Sequence, residues 1–486
     1  FANLTMSGLR ASGVQLAVQG IIRNDAEQPA SDVWVTARFV PLEGDGVAAS
    51  VSVGPLTVLP GASAPWRATV MPQGEIELWS VRRPFLYVAE VAVRMGNQTI
   101  TRLDGLNVTF GARHVELTPN EGMLLNNRHV KMRGFCDHST FGGVGAAVPD
   151  RVNLYRAQAI RAVGGNSWRM AHNPPIPVRL DIMDRLGMLA LDENHFYGGH
   201  TFPYGRYDPE SVEQSQQDMA DLVLRDRSHA SVWAWNFCNE VNCVDDPKVA
   251  AAMRNVTDTF DGTRPVTMNH IVNQALPSLD IQGMSHRAGG HMDSFHQQNP
   301  HVPLFSSEAV ICPSERGVDS DECPKARRKD GACQYNNEVA ACTAEQVGFS
   351  DSRQFNAGTY VWSGFDFTGE GVDASADATG MLGDRAGFEK DVRWWFRSWW
   401  FSNISTSDAG RPFLWPQATN PLTTLHIVDH WNEVISTANR SIHVYTNAPW
   451  VRLWVNGQQV GSGARAVPYF GAAMFPAVPF RPGNLT

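Results

Sequence analysis

Between residues 114 and 404, short apolar runs alternate with stretches of helical period, and no other feature restricts the fold as strongly. Runs at 130–136, 166–170, 188–191, 232–237, 266–268, 281–284, 304–306 and 359–365 are short and apolar, as buried strands are. Between them, 149–162 carries Val152, Leu154, Tyr155, Ala159 and Ile160 at helical spacing behind Pro149-Asp150. Residues 178–186 form a second helical stretch, closed by Gly187. Further helices are expected at 211–225, 248–260, 337–343 and 392–400. Parallel strands need long crossovers, usually helical, so this alternation predicts a parallel sheet. Eight strands in about 290 residues fit a (β/α)8 TIM barrel, whose chemistry sits where the strands end.

The flanks differ. In residues 1–113, Val14, Leu16 and Val18 alternate with Gln15, Ala17 and Gln19, the pattern of a half-buried strand. Similar runs at 33–40, 68–71, 87–94 and 106–110 complete the signature of an immunoglobulin-like β-sandwich. From 405 to 486 the helical period disappears. Runs at 424–428, 442–446 and 451–455, with a hairpin signal at Asn456-Gly457, predict a second β-sandwich, expected to be incomplete. The expected chain is therefore multidomain, with catalytic barrel 114–404 between two sandwiches.

Charge and composition narrow the classes of function. The net charge of −9 argues against nucleic acid as a partner, and the basic run 325–329 reads as a solvated loop. No apolar run is long enough to span a bilayer. The first residues carry no charged and apolar leader pattern, yet glycosylation sequons occur at Asn3, Asn97, Asn107, Asn255, Asn403, Asn439 and Asn484. The expectation is a eukaryotic secretory-pathway protein, secreted or lysosomal/vacuolar, whose leader was removed or lies outside these residues. Cysteine usage agrees. Cys312, Cys323, Cys333 and Cys342 crowd into one polar segment and are expected to form two disulfides, with three connectivities open. They lack the Cys-x-x-Cys pairs of a zinc site. Cys238 and Cys243 form another candidate pair, and Cys136 reads as a buried free thiol.

The run 232–237 continues Cys-Asn-Glu, so an aromatic strand stops at Asn239-Glu240. The seventh run stops in the same way, at Ser307-Glu308. Two glutamates at strand ends on one face of a barrel supply what glycoside hydrolysis with retention needs. One carboxyl protonates the leaving oxygen, and the other attacks the anomeric carbon.

These motifs resemble those of glycoside hydrolase family 2, in particular its β-galactosidase-like members, over nearly the whole sequence. Trp-Asn-Phe-Cys-Asn-Glu (235–240) is similar to the family's acid/base strand, and Pro-Leu-Phe-Ser-Ser-Glu (303–308) to its nucleophile strand. Trp-Arg-Met-Ala-His-Asn-Pro-Pro (168–175) resembles the second-strand motif. Val-Trp-Ser-Gly-Phe-Asp-Phe-Thr-Gly-Glu (361–370) and Gly-Phe-Glu-Lys-Asp (387–391) resemble the eighth strand and its sequel. The resemblance implies Glu240 as general acid/base, with a raised pKa, and Glu308 as nucleophile. It implies that Asn239 binds the sugar 2-hydroxyl and that Arg169 lies beside Glu308. His138 and His172 would bind sugar hydroxyls, and Trp362 would floor the pocket. Asp192 also falls at a strand end near the site. The tryptophans 394, 395, 399 and 400 read as core.

Several features depart from the family pattern. Where relatives often place a tyrosine after the sixth strand, Gln-Gly-Met-Ser-His (282–286) offers His286. The segment Asp-Glu-Asn-His-Phe-Tyr-Gly-Gly (192–199) lacks the magnesium ligands of some bacterial relatives, so no metal and no cofactor are expected. The family's N-terminal jelly-roll domain has no counterpart in these residues; in relatives it can help wall the pocket. The expected activity is hydrolysis of terminal β-D-galactosides, with β-glucuronidase and β-mannosidase as rivals. A catalytically vestigial role in an extracellular assembly is the alternative of another class. A carbohydrate is the expected partner, and a homo-oligomer is compatible with the sequence.

Overall fold

The computed structural model describes residues 5–7, 9–96, 102–195, 209–240, 247–270, 275–286, 289–311, 343–368, 376–377, 380–383, 388–401, 424–429, 431 and 439–486. Six N-terminal strands include the five expected runs: β1 (Leu16–Arg23), β2 (Ala30–Pro41), β3 (Ala49–Val58), β4 (Ser63–Val70), β5 (Tyr87–Met95) and β6 (Arg102–Phe110). They pair antiparallel as β3-β2-β5-β6 and β1-β4. Leu16, Ala37, Phe39, Ala49, Tyr87 and Ala89 pack in their shared core. Strand β3 was not anticipated, although Ala49, Val51 and Val53 alternate with exposed Ser50 and Ser52 in it.

The next eight strands close into a parallel barrel in chain order. They are β7 (Met132–Asp137), β8 (Ser167–Met170), β9 (Leu189–Glu193), β10 (Val232–Asn239), β11 (Val266–His270), β12 (Gln282–Ser285), β13 (Leu304–Ile311) and β14 (Asn356–Trp362). The crossovers include α1 (Asp150–Ala162), α2 (Pro177–Leu186), α3 (Pro209–Asp226), α4 (Pro247–Phe260) and the unanticipated α5 (Gly290–Gln298). Helix α6 (Asp391–Trp400) follows β14. Helix α2 stops where the sequence says it should. Gly187 is left-handed (φ 66°), and the Met188 N–H caps the Met183 carbonyl at 3.0 Å. A Cβ at Gly187 would also lie 2.5 Å from the Val81 carbonyl oxygen, so glycine is required by contact as well as by φ. Among the described residues, no helix joins β11 to β12. The helix expected at 337–343 and all four cysteines of the 312–342 segment lie outside the described residues, except for Thr343.

Side chains from alternate positions fill the barrel interior. Leu189, Leu191, Trp233, Phe305 and Tyr360 point inward, whereas Ala190, Trp235 and Phe237 pack against the helices. The Tyr360 hydroxyl accepts from Trp233 Nε1 at 2.9 Å and bonds Ser167 Oγ at 2.5 Å, so this buried polar group is satisfied. Of the tryptophans of α6, Trp395 and Trp400 are core, as expected, and Trp394 and Trp399 are partly buried against it: Trp395 donates to the Phe470 carbonyl at 3.1 Å, and Trp399 stacks on the Phe470 ring at 5.2 Å. This packing ties the C-terminal strands β15 (Leu425–Ile427), β16 (Asn439–Thr446), β17 (Trp454–Val455), β18 (Gln458–Gln459) and β19 (Ala473–Pro479) to the barrel. The single strand expected at 451–455 is interrupted. Asn456 and Gly457 turn β17 into β18 with φ of 49° and 79°, as a two-residue hairpin requires.

Candidate active site

The site is assembled around Arg169, a fully buried residue of β8 whose guanidinium contacts four other strands. It donates to both oxygens of Glu193 on β9, Nε to Oε2 at 2.6 Å and Nη2 to Oε1 at 3.0 Å. Nη1 reaches Glu308 Oε2 at 2.8 Å and the Ser307 carbonyl at 3.0 Å on β13. Nη2 reaches Asn239 Oδ1 on β10 at 2.6 Å and lies 3.1 Å from His172 Nδ1. Burial alone would depress the guanidinium, but Glu193, Cys136 and Glu308 reverse this and raise its pKa. Glu193 is correspondingly held below its usual range. Burial pushes it up, and Arg169 and His172 outweigh that.

Two local irregularities aim the catalytic candidates. Strict alternation on β10 would put Asn236 and Asn239 on opposite faces. A register shift against β11 between them turns both inward, Asn236 donating to Glu193 Oε2 at 2.8 Å. Shifts between β13 and both neighbours do the same for Ser307 and Glu308. Glu308 therefore lies within its strand, not at its end as expected. Asn269, completely buried on β11, bridges Asn239 and Ser307.

Glu240 follows β10 in a left-handed conformation (φ 46°), and His286 follows β12 in another (φ 51°). His286 Nε2 lies 2.7 Å from Glu240 Oε1 and 3.4 Å from Glu308 Oε1. Donor atoms of these three side chains all fall within 4.8 Å of one another. Ser285 Oγ also donates to Glu240 Oε1, at 2.7 Å. The two glutamates raise the His286 pKa to about 10, mainly through their hydrogen bonds to it. Glu240 falls to about 2: burial raises it, but the hydrogen bonds from His286 and then Ser285 outweigh burial. This reverses the expectation of a raised Glu240 pKa. A histidine where a tyrosine was usual brings a cation against the acid.

The aromatic wall matches the residues singled out from sequence. His172 stacks on Trp362 with centroids 5.2 Å apart and planes at 3°. His138 packs edge-on to Trp362 at 5.0 Å, His172 at 5.5 Å and Phe367 at 4.5 Å. Cys136 is a buried free thiol 3.7 Å from Arg169 Nη1, and burial pushes its pKa up.

Asp192 corrects the sequence reading. It is completely buried on the outer face of β9, against Asp226 of α3, and not in the site. Its neighbour Glu193 is the acid in the site. Sequence missed it because both faces of β9 are buried, so Leu-Ala-Leu carries no polar contrast to mark its inward face. Asn269, Ser285 and Ser307 were missed for a similar reason; isolated small polar residues on short strands carry no periodic signal. Cys238 is disulfide-bonded, and its expected partner Cys243 lies outside the described residues.

A parallel barrel whose mouth holds two closely spaced glutamates, an orienting arginine and an aromatic wall has the layout of a glycoside hydrolase. Comparison with known proteins agrees. Residues 115–305 match the model of the glycosyl hydrolases family 2 TIM barrel domain, and 438–486 match a domain of unknown function, DUF4982. Residues 115–305 thus carry the barrel domain of glycoside hydrolase family 2. The chain is 26% identical over 476 residues to beta-galactosidase BoGH2A of Bacteroides ovatus, covering 84% of this chain and 52% of that protein. It is 23% identical over 409 residues to a beta-glucuronidase of Bacteroides fragilis, covering 79% of this chain and 55% of the relative. The chain thus spans about half the length of these relatives. The crystal structure of Bacteroides uniformis beta-glucuronidase shares the fold, with a TM-score of 0.80 at 20% identity over 100% of this chain and 59% of that one.

Proposed function

We propose that the protein is a retaining exo-β-glycosidase acting on terminal β-D-galactosides. The observation that carries this reading is the spacing of Glu240 and Glu308. Each offers an oxygen within 4.8 Å of the other's, so the two carboxyls face one another closely, as a retaining dyad requires. Glu308 Oε2 is held by Arg169, which leaves Oε1 to attack the anomeric carbon. A covalent glycosyl-enzyme forms, and the aglycone leaves with a proton from Glu240. In the ground state that proton resides on His286, 2.7 Å from Glu240 Oε1, and passes to Glu240 as the glycosidic oxygen approaches. Water then attacks the glycosyl-enzyme with Glu240 as base, and the configuration is retained. Asn239, oriented by Arg169, binds the 2-hydroxyl. The stacked His172–Trp362 pair packs against the sugar.

Arg169 and His286 are both engaged by the protein's own carboxylates, which favours a neutral sugar over a uronate. The relatives named beta-glucuronidase support the uronide as the second reading. Kinetics on nitrophenyl β-galactoside and β-glucuronide separate the two, and a 2-fluoro-galactoside should label Glu308. An unlabelled, inactive protein carrying the complete family domain set would sink the enzyme reading.

A secretory-pathway location is proposed on the sequons. Asn107, Asn255, Asn439 and Asn484, those among the described residues, are all exposed. A mass shift on glycosidase treatment of the native protein tests it.

A further inference from the structure

The residue that departs from the family pattern changes the coordination chemistry of the site. A tyrosine between two glutamates is a poor ligand for a neutral-pH divalent ion, whereas an imidazole is a good one. We propose that Glu240, His286 and Glu308 bind a divalent transition-metal ion of the zinc class, and that the bound ion blocks the glycosidase centre. The inference rests on the glycosidase reading for its consequence, but not for its geometry.

Zinc bonds nitrogen and carboxylate oxygen at about 2.0–2.2 Å, so two ligands of a tetrahedral ion stand roughly 3.3–3.5 Å apart. His286 Nε2 and Glu308 Oε1 are 3.4 Å apart, already at that distance. His286 Nε2 and Glu240 Oε1 are 2.7 Å apart and need to open by roughly 0.7 Å. They have room to do so, since their side chains are 37% and 19% exposed and both stand on turns at the open end of the barrel. Both carboxylates are oriented by the protein. Arg169 takes Glu308 Oε2, leaving Oε1 toward His286, and Ser285 Oγ donates to Glu240 Oε1, the oxygen that faces His286. Such outer contacts orient ligands in metal sites.

Charge also favours a dication. Two carboxylates face the same point. The nearest fixed cation, Arg169, is offset by its bidentate contact with Glu193, so the surroundings do not repel the ion. On binding, the ion replaces the proton held between His286 and the carboxylates, and that proton leaves to solvent. The imidazole selects zinc, cobalt, nickel or copper over magnesium and calcium, which prefer all-oxygen sites. The ion occupies the Glu308 oxygen that would attack and the Glu240 oxygen that would carry the proton, so inhibition is competitive with substrate.

The test uses cobalt(II) as a visible probe on the purified protein, with zinc inhibition of nitrophenyl-glycoside hydrolysis followed in parallel. Expected are a saturable one-to-one cobalt band and competitive zinc inhibition reversed by chelator, with no effect of magnesium at the same concentration. His286→Gln should weaken cobalt and zinc binding by on the order of 100-fold. His286→Tyr, checked for folding by circular dichroism, should do the same. Wild-type affinity in either folded variant, or no cobalt band in the wild type, overturns the site. Cobalt binding that depends on His286, in a protein that hydrolyses no glycoside, keeps the site and removes the glycosidase reading. Hydrolysis without any response to cobalt or zinc does the reverse.

Discussion

Asp192 and Glu193 are neighbours in the chain, both completely buried, and they live in opposite electrostatic worlds. Glu193 faces the barrel interior, where the Arg169 guanidinium covers both its oxygens and helps hold it ionised. Asp192 faces α3, where burial, and then the nearby Asp226 carboxylate, raise its pKa well above the ordinary value. The difference follows from the two-residue period of a strand. One step along β9 exchanges a cation for an anion as the nearest partner. A buried acid is evidence of function only once the face it points to is known.

The largest effect should come from the inner face. Glu308→Gln should lower kcat by on the order of 10⁴-fold or more, with folding intact. A smaller loss in a protein with wild-type folding would remove Glu308 from the reaction. Arg169→Met should be the most destabilising change, by about 3–5 kcal/mol in chemical denaturation, because it leaves Glu193 buried without its cation. Full stability in that variant would break the contrast between the two acids.

The pH profile sharpens the comparison. His286, raised from 6.5 to about 10, keeps its proton through neutral pH, and the stabilisation from its ion pair is lost as pH rises through about 10. Glu240, lowered from 4.5 to about 2, keeps its charge, and that contribution is lost only as pH falls through about 2. Activity should therefore extend far to the alkaline side. In His286→Gln, without the proton store, the basic limb of kcat/KM should move down by more than one pH unit. An unmoved limb would deny His286 the proton.

Glu193→Gln should reduce kcat about 10–100-fold with little change in KM, since it orients Arg169 and does not touch the sugar. The smallest effect should be on the outer face. Asp192 has a raised folded pKa, so the native state is penalised as pH rises above the unfolded value of 3.8. Asp192→Asn removes that penalty. Activity should stay within about twofold, and stability at neutral pH should be unchanged or higher. A large loss of activity would return Asp192 to the site.

Much of this was legible in the chain. The eight short runs gave the barrel, Gly187 the end of α2, and Asn456-Gly457 the hairpin of the C-terminal strands. Glu240, Glu308, Asn239, Arg169, His172 and Trp362 do converge. Asp192 was misplaced and Glu193 overlooked, because a strand buried on both faces has no hydrophobic alternation to fix its parity.

By itself, the sequence determined where strands and helices alternate and which residue types stand at the strand ends, because both are local properties of composition and spacing. Only the tertiary structure decided which acids face inward, that bulges turn Asn239 and Glu308 into the mouth, and that His286 stands against Glu240 and lowers its pKa. Those outcomes depend on distances between residues on different strands. Electrostatic interactions act through space, and a strand shifted by one residue reverses every partner it meets.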